Sequence, residues 1–281
     1  MFEIWNLNFV WNLGRGFWNL IYVMSLLFDQ VIFGPIKSRR FGISLGINLL
    51  PTHYKFCTFD CVYCECGWTR HGDDRKQKLF SPGEVISALE EKCRKLAGSA
   101  VTPDNLTFAG NGEPTLHPKF PEIVDGTIRI RDQYFPGAGI TVLSNATQLH
   151  KSRIRDALLR VDHNVLKLDC GTEEMFRRIN RPLGNITLAK IVDHLRNLQG
   201  HMTIQTLFVR GWYLGEEIDN TTEAEINAWL EHLRLIRPGA VMIYSIDRNP
   251  PVSTIQKVPA DELYRIASLV EMSGLKTEVY P

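Results

Sequence analysis

The sequence is poor in cysteine, in net charge and in long uninterrupted apolar runs. Its six cysteines among 281 residues are too few for a disulfide scaffold, which favours a reducing compartment. With 32 Lys and Arg against 31 Asp and Glu, the net charge of +1 supplies no broad positive field for nucleic acid. The first residues lack the basic region, apolar run and small-residue cleavage site of a secretory signal, so we expect a cytoplasmic protein.

The segment 1–34 is rich in aromatic side chains and is predicted to form a separate helical extension. Trp5, Trp11 and Trp18 are half of the six tryptophans, yet the cleanest apolar stretch, Phe17 to Phe28, has only about twelve residues. A helix that spans a bilayer needs about twenty. We expect the extension to pack on its own domain. The alternative is that residues 5–33 contact a membrane surface or a partner's groove, which would make the protein membrane-peripheral.

From Ile43 onward, short apolar runs alternate with amphipathic stretches. The repeated order of strand and then helix indicates a parallel sheet, either open or in a barrel short of the usual eight units. In both arrangements, ligands bind beyond the carboxyl ends of the strands. The runs that we predict as strands are rich in Val, Ile, Leu or Phe: Ser44 to Leu49, Asn105 to Ala109, Gly139 to Leu143, Asn164 to Leu168, Thr203 to Phe208 and Ala240 to Tyr244.

Several helix boundaries can be predicted from capping residues. Ser81 and Glu84 match a capping box before one amphipathic stretch, and Thr222 and Glu225 repeat the pattern before another. A last helix is predicted from about Ala260 to Gly274, ahead of an edge strand near the end of the sequence.

Three cysteines follow the first predicted strand, in the segment Cys57-Thr58-Phe59-Asp60-Cys61-Val62-Tyr63-Cys64. Thiolates at this spacing can converge on one soft metal centre and leave one coordination position open. Structural zinc sites are instead closed by four protein ligands, usually in two separated pairs, and no second Cys pair is present. A zinc site completed by His53, Cys66 or His71 remains an alternative.

A second motif, Gly110-Asn111-Gly112-Glu113-Pro114, follows the next predicted strand. Glycine permits close approach of the backbone, proline fixes a turn, and a carboxylate pairs with an ammonium group. The alternative interpretation is a plain strand-end turn with a solvated carboxylate. A further alternative makes Glu113 the general base of an ordinary barrel enzyme.

Together the two motifs resemble those of the radical S-adenosylmethionine (SAM) superfamily. Its cysteine loop has this spacing with an aromatic residue before the last cysteine, as Tyr63 is here, and its Gly-Gly-Glu-Pro motif is similar to residues 111–114, with Asn111 at the first glycine. The resemblance implies a partial (β/α)6 barrel. It also implies a 4Fe-4S cluster whose open iron takes the amino and carboxylate groups of SAM, bound by Cys57, Cys61 and Cys64.

The resemblance further implies reductive cleavage of SAM to a 5'-deoxyadenosyl radical that abstracts hydrogen from a substrate not yet identified. Polar residues at two later strand ends are similar in position to contacts of the SAM ribose, although each can instead cap a helix. The segment 176–182 also brings arginines toward this end of the sheet. The implied SAM-binding residues are Tyr63, Gly110, Asn111, Gly112, Glu113, Pro114, Ser144, Asn145 and Asp169.

From about residue 34 to the end, the chain resembles iron-sulfur oxidoreductases related to the wybutosine tRNA-modifying enzymes. The residues that carry this likeness are Gly34-Pro35-Ile36-Lys37-Ser38-Arg39-Arg40, the segment 44–51, Phe208-Val209-Arg210-Gly211 and Asp247-Arg248. We therefore predict one radical SAM domain over residues 35–281. The tRNA-modifying branch has an extra cysteine set near its N-terminus, whereas no cysteine precedes Cys57 here, so tRNA modification is kept as an alternative.

The resemblance also implies a small electron donor such as flavodoxin or ferredoxin. Basic residues near the cysteine loop in sequence are consistent with an acidic reductant or with an anionic substrate group, and the alternative is a solvated surface. These residues are Lys37, Arg39, Arg40, Arg70, Arg75 and Lys76. A non-catalytic zinc-binding protein is the alternative from another class.

Overall fold

The structure, a computed structural model, describes residues 26–69, 79–198, 200–248 and 250–281. Within these ranges, strands and helices alternate in a mixed α/β fold. The strands are β1 (Ile32–Ser38), β2 (Gly42–Ile47), β3 (Asn105–Phe108), β4 (Gly139–Ser144), β5 (His163–Lys167), β6 (Thr203–Tyr213), β7 (Glu216–Asp219), β8 (Ala240–Ser245), β9 (Gln256–Lys257) and β10 (Thr277–Tyr280). The helices are α1 (Pro82–Ala97), α2 (Phe120–Tyr134), α3 (Ser152–Leu158), α4 (Glu173–Ile179), α5 (Leu188–Arg196), α6 (Glu223–Ile236) and α7 (Ala260–Met272).

A parallel sheet forms the centre of the fold. Its strands follow the order β1-β2-β3-β4-β5-β6-β8-β10, and every neighbouring pair from β2 to β10 is parallel. The six predicted strands are therefore confirmed, with ends shifted by at most two residues except at β6, which continues five residues beyond Phe208 to Tyr213, and the predicted edge strand is β10. This arrangement agrees with the predicted partial (β/α)6 barrel.

Helices cover one face of this sheet through large apolar contacts. The ring of Phe108 on β3 meets Phe120 of α2 edge-on at 5.7 Å, and Phe208 on β6 meets Trp229 of α6 in the same way at 5.4 Å. All four side chains are buried. Aromatic packing of this kind fixes the helices against the strands, and so fixes the loops that leave the carboxyl ends of the strands.

One of the two predicted capping boxes is confirmed and the other is half wrong. The Ser81 N–H donates to Glu84 Oε2 at 2.6 Å, and the Glu84 N–H donates to Ser81 Oγ at 3.3 Å. Thr222 likewise accepts from the Glu225 N–H at 3.3 Å. The Glu225 carboxylate, however, accepts from the backbone N–H groups of Gly171 and Thr172, at 2.9 and 3.2 Å. The Glu225 side chain turns from α6 toward α4 because these N–H groups at the start of α4 also need an acceptor.

The strand β1 was not predicted from the sequence. It pairs antiparallel with β2, with Ile32 opposite Ile47, and its register shifts between Phe33 and Ile36. The Gly34-Pro35 pair inside β1 argues against a strand in the sequence. An edge strand nevertheless tolerates a residue without an N–H group. β1 crosses the proposed boundary at residue 34. The division into an extension and a domain stays a prediction, because residues 1–25 lie outside the described ranges.

No helix in the described part of the chain is long and apolar enough to cross a membrane.

Candidate functional site

The cysteine loop leaves the carboxyl end of β2 and folds into tight turns. The Cys64 N–H donates to the Cys61 carbonyl at 3.0 Å, and the Gly67 N–H donates to the Cys64 carbonyl at 2.9 Å. Cys61 is buried, Cys57 and Cys64 are half-buried, and none of the three is in a disulfide. The three cysteines are therefore free thiols within one short, tightly turned loop.

The cysteine loop is hydrogen-bonded to the predicted glycine motif. The Phe56 N–H donates to the Asn111 carbonyl at 2.8 Å, and the Glu113 N–H donates to the Phe56 carbonyl at 3.1 Å. Gly112 has φ +140°, and a Cβ atom there would lie 2.0 Å from the Phe56 carbonyl oxygen. Only glycine allows this approach. The two motifs that the sequence singled out thus lie side by side.

Glu113 is buried among hydrogen-bond donors. Its carboxylate accepts from Ser144 Oγ at 2.8 Å, from the Asn145 N–H at 2.6 Å and from the Thr115 N–H at 3.0 Å, as well as from the Thr115 hydroxyl. Burial raises the pKa of Glu113, although these hydrogen bonds oppose the shift. The structure therefore brings together the predicted residues from the ends of β3 and β4 and fixes the orientation of the carboxylate.

Two asparagine amides face the cysteine sulfurs. Asn145 Nδ2 lies 3.5 Å from Cys57 Sγ, and Asn180 Nδ2 lies 3.4 Å from Cys61 Sγ. Donors placed this way favour the thiolate form and influence the potential of sulfur-ligated clusters. Asn145 was predicted as a ribose contact, whereas Asn180 was missed. Its signal was its place inside the 176–182 segment, where only the arginines were noted.

Tyr63 and Asp169, both predicted to bind SAM, are joined directly. The Tyr63 hydroxyl donates to the Asp169 carboxylate, and Lys167 Nζ lies 2.6 Å from the Tyr63 oxygen and 3.3 Å from Asp169 Oδ2. Burial and Asp169 raise the pKa of Tyr63. Burial lowers the pKa of Lys167, but Asp169 and Tyr244 outweigh it, so this pKa lies above its usual value. Lys167 was missed, although it lies inside the predicted fourth strand, two residues before Asp169.

Asn111, at the position where the family pattern has glycine, holds another part of the chain. Its side chain bonds both the N–H and the carbonyl of Phe28, each at 2.8 Å, and donates to the Pro51 carbonyl at 2.8 Å. Its own N–H donates to Asn48 Oδ1 at 3.2 Å. The asparagine therefore fastens the segment before β1 to the glycine motif. A direct contact between Asn111 and SAM stays a prediction.

The remaining motif residues shape the backbone. Gly110 has φ +135°, and a Cβ atom there would lie 2.6 Å from Asn48 Oδ1. Pro114 begins a short 3-10 turn, Pro114–Leu116, and Glu113 caps this turn by accepting from the Thr115 N–H. These two residues bring the motif close to its neighbours without side-chain chemistry of their own, as their types led us to expect.

A buried lysine lies within the cysteine loop, and no sequence pattern predicted it. Lys55 Nζ donates to the Gly67 carbonyl at 3.0 Å and to Asp60 Oδ1 at 3.3 Å. Burial lowers the pKa of Lys55, but Cys64, Cys57, Cys61 and Asp60 together raise it above its usual value. The ammonium group is therefore within electrostatic reach of all three thiols.

The thiols differ in acidity. Burial raises the pKa of Cys57 to about 12, and it also raises the pKa of Cys61. The pKa of Cys64 is lowered to about 6, first because the Cys66 side chain is hydrogen-bonded to it and also because Lys55 is near. Cys66 is also at the site, where its Sγ lies 3.4 Å from the Gly110 carbonyl. Cys93, by contrast, is buried on α1 in the core.

The donor set fits a multi-iron cluster better than a single zinc ion. No three His, Cys, Asp or Glu side chains among the described residues converge closely enough to hold one metal ion. A zinc site requires such convergence, whereas sulfide-bridged iron spreads its cysteine ligands over several atoms. His53 is exposed, and His71 lies outside the described ranges. Three thiols with amide donors and a buried ammonium group suit an anionic iron-sulfur centre.

Two of the basic residues expected near the cysteine loop, Arg39 and Arg40, reach the carboxyl ends of β8 and β10 with their side chains. The backbone of Arg39 and Arg40 lies in the turn between β1 and β2. The Arg39 guanidinium lies 3.5 Å from Asp247, which follows β8, and the Arg40 guanidinium lies 4.8 Å from the centre of the Tyr244 ring on β8. Arg39 donates to the Pro281 carbonyl at 2.7 Å, and Arg40 donates to Gln205 Oε1 at 2.5 Å. Lys37 is exposed on β1. Arg70, Arg75 and Lys76 lie outside the described ranges.

Comparison with known proteins identifies the class. Residues 52–250, more than half of the chain, match the model of the radical SAM superfamily. The chain belongs to the radical SAM superfamily, whose members are enzymes of SAM-dependent radical chemistry.

Curated relatives carry the name UPF0026. The chain is 33% identical over 243 residues to a UPF0026 protein of Methanocaldococcus jannaschii, which covers 85% of this chain and 70% of the relative. It is 32% identical over 226 residues to a UPF0026 protein of Synechocystis sp., which covers 79% of this chain and 77% of the relative. Neither name states a substrate.

Solved structures share the fold. A radical SAM methyltransferase from Sphaerobacter thermophilus superposes with a TM-score of 0.60 and 16% identity, covering 84% of this chain and 65% of the other. The structure of TYW1 with a lysine-pyruvate adduct superposes with a TM-score of 0.57 and 18% identity, covering 82% of this chain and 73% of the other. This chain thus spans about two thirds of the first structure's length, and identities this low show the fold alone.

Proposed function

We propose that this protein is an enzyme that reductively cleaves SAM at a 4Fe-4S cluster and abstracts hydrogen from a substrate. The cluster and SAM, when bound, would supply the electron transfer and the radical. Cys57, Cys61 and Cys64 would hold the cluster. The protein's own residues would bind and orient SAM and keep water away from the reaction.

One observation carries this proposal. The backbone of Phe56, the residue directly before Cys57, is hydrogen-bonded on both sides to the glycine motif. This pairing puts the thiols and the Glu113 carboxylate in one buried region. A methionine-type cofactor presents an ammonium group and needs both a metal contact and a carboxylate, and the two motifs together offer these.

Individual residues support distinct roles. The Glu113 carboxylate, oriented by Ser144 and by the Asn145 backbone, would pair with the SAM ammonium group. Backbone groups of residues 110–112 would lie near it, since glycine admits close approach. Asp169, two residues after β5, and the Tyr63 hydroxyl that is bonded to it would hold the cysteine loop against the strand end that the ribose is expected to approach. These roles accord with the resemblance described above and stay proposals.

The decisive experiment is anaerobic reconstitution with iron and sulfide, followed by reduction with dithionite in the presence of SAM. We expect release of 5'-deoxyadenosine by the wild-type chain and none by Cys57→Ala, Cys61→Ala or Cys64→Ala. Cys93→Ala is the matched control, because Cys93 lies in the core on α1 and should leave the product yield unchanged. Bound zinc without iron, or cleavage that survives the loop substitutions, would contradict the proposal.

We further propose a cytoplasmic enzyme that takes its electron from a small donor such as flavodoxin or ferredoxin. Reduction by either protein in place of dithionite tests this directly. The predicted membrane or partner contact of residues 5–33 and the alternative of tRNA modification both remain open to test. The second would require RNA that copurifies and dissociates with rising salt.

A further inference from the structure

Lys55 is the most deeply buried ammonium group at the site. Its side chain is 1% exposed, and its Nζ is held by the Gly67 carbonyl at 3.0 Å and Asp60 Oδ1 at 3.3 Å. Removing a lysine from water is costly unless its charge is offset. The fold therefore needs a reason to keep a cation at this position.

The cation's neighbours belong to the cysteine loop. Asp60 directly precedes Cys61, and Gly67 is hydrogen-bonded to the Cys64 carbonyl. Lys55 itself stands two residues before Cys57, and its neighbour Phe56 is paired with the glycine motif. One ammonium group thus ties together the backbone segments that carry all three thiols.

The charge balance at this point depends on the ligation state of the cysteines. Three thiolates bound to iron make the site anionic, and one-electron reduction of a cluster adds a further negative charge. In a buried region of low dielectric, a nearby cation stabilises the more negative state. The net charge around an iron-sulfur cluster is one of the factors that set its reduction potential.

We propose that Lys55 is the buried counter-charge of the cluster, a positioning residue that raises the reduction potential of the centre bound by the three cysteines. This inference rests on the proposed function. The inference goes beyond the proposed function because it assigns a role in setting the reduction potential of the cluster to Lys55, a residue outside the family motifs.

The proposal predicts that substitutions at the two partners of the Lys55–Asp60 ion pair shift the reduction potential in opposite directions. Lys55→Met removes the cation, so reduction should become harder. Asp60→Asn removes the competing anion but keeps a side-chain oxygen for the Thr69 N–H, which Asp60 now binds at 2.6 Å. Reduction should then become easier. An ion pair that only stabilised the loop would not shift the reduction potential in opposite directions in the two variants.

The test is a redox titration of the anaerobically reconstituted full chain, without SAM, followed by electron paramagnetic resonance. For Lys55→Met we expect at least a tenfold loss in the reduction equilibrium, which is about 59 mV for one electron. For Asp60→Asn we expect a shift in the opposite direction. The control is Lys95→Met, an exposed lysine on α1 that pairs with Glu91 and should leave the potential unchanged.

The outcomes separate this inference from the proposed function. A wild-type chain that assembles no four-iron cluster would defeat the proposed function itself. A wild-type cluster together with an unchanged potential in Lys55→Met, or with shifts of the same sign in both variants, would defeat only the role of Lys55. If Lys55→Met does not retain iron, Asp60→Asn decides alone, and a potential at or below that of the wild type overturns the proposal.

Discussion

Two buried carboxylates lie at the carboxyl ends of β3 and β5, the strands on either side of β4, and have different partners. Glu113 follows β3 and Asp169 follows β5, and each is 2% exposed. The donors around Glu113 are all neutral, from Ser144, Thr115 and the Asn145 backbone. Asp169 has the Lys167 ammonium group at 3.3 Å as well as the Tyr63 hydroxyl. One negative charge is compensated within the protein, whereas the other is only solvated by hydrogen bonds.

This difference indicates which carboxylate stabilises the fold and which is available to bind a cationic ligand. A buried anion without a cation is costly, and burial raises the pKa of Glu113 accordingly. A bound ammonium group would remove that cost. Asp169 already has its cation, and it also accepts from Asn180 Nδ2 at 2.7 Å and from the Leu207 N–H at 3.0 Å. The compensated carboxylate therefore stabilises the cysteine loop, and the uncompensated one is better suited to bind the cofactor.

The largest effect should come from breaking the compensated pair. Asp169→Asn leaves the buried Lys167 without its anion, and loss of one partner of a buried ion pair costs about 3 to 5 kcal/mol. Urea unfolding of the purified chain without metal measures the loss. The double variant Lys167→Met, Asp169→Asn should recover most of the stability. Equal losses in the single and double variants would show that the charge pair is not the cause.

A smaller effect is expected when the uncompensated carboxylate is neutralised. Glu113→Gln should weaken SAM binding to the reconstituted protein by about 10- to 100-fold, the usual worth of a hydrogen bond to a charged group. Isothermal titration calorimetry measures the affinity, and the iron content should not change. Glu122→Gln, at an exposed acid on α2, is the matched control. A greater loss of SAM affinity in Asp169→Asn than in Glu113→Gln would reverse the comparison.

The sequence predicted where both carboxylates lie but not how they are compensated. Strand periodicity and the glycine motif put Glu113, Ser144 and Asp169 at strand ends, and the parallel order of strands implies that these ends share one edge. Which cation lies beside which anion depends on side-chain directions across neighbouring strands. That information is absent from any local pattern, so Lys167 and Asn180 were missed.

Other failures have the same physical origin. The burial of Lys55 was not predicted because a lysine in a loop is usually exposed, and only the tertiary structure buries it. Glu225 was predicted to cap its own helix, yet it caps α4, since the unsatisfied N–H groups of another element compete for the same carboxylate. Local signals located the elements and motifs. Contacts between elements decided which polar groups were paired.

A modest effect is expected for the hydroxyl that lies between Lys167 and Asp169. Tyr63→Phe removes one buried hydrogen-bond donor and acceptor, which should cost about 1 to 2 kcal/mol of stability. The ring remains, so SAM affinity should stay within about threefold of the wild type. Urea unfolding and calorimetry on the same preparations check both. A large loss of affinity with no loss of stability would move Tyr63 from the loop-stabilising group to the ligand-binding group.

The smallest expected effect is a pH dependence that separates the two carboxylates. Because burial raises the pKa of Glu113 in the folded chain, the folded state holds this proton more tightly than the unfolded state does. The resulting stability is fully present below the ordinary glutamate pKa and is lost as the pH rises through the folded value. Glu113→Gln removes this group, so the stability of the wild type relative to the variant should fall as the acidic range is crossed upward. Unfolding curves of the metal-free proteins, collected at a series of acidic pH values, measure this difference. A difference that stays constant or grows with rising pH would show that Glu113 already has a cation in the folded chain, and the contrast with Asp169 would disappear.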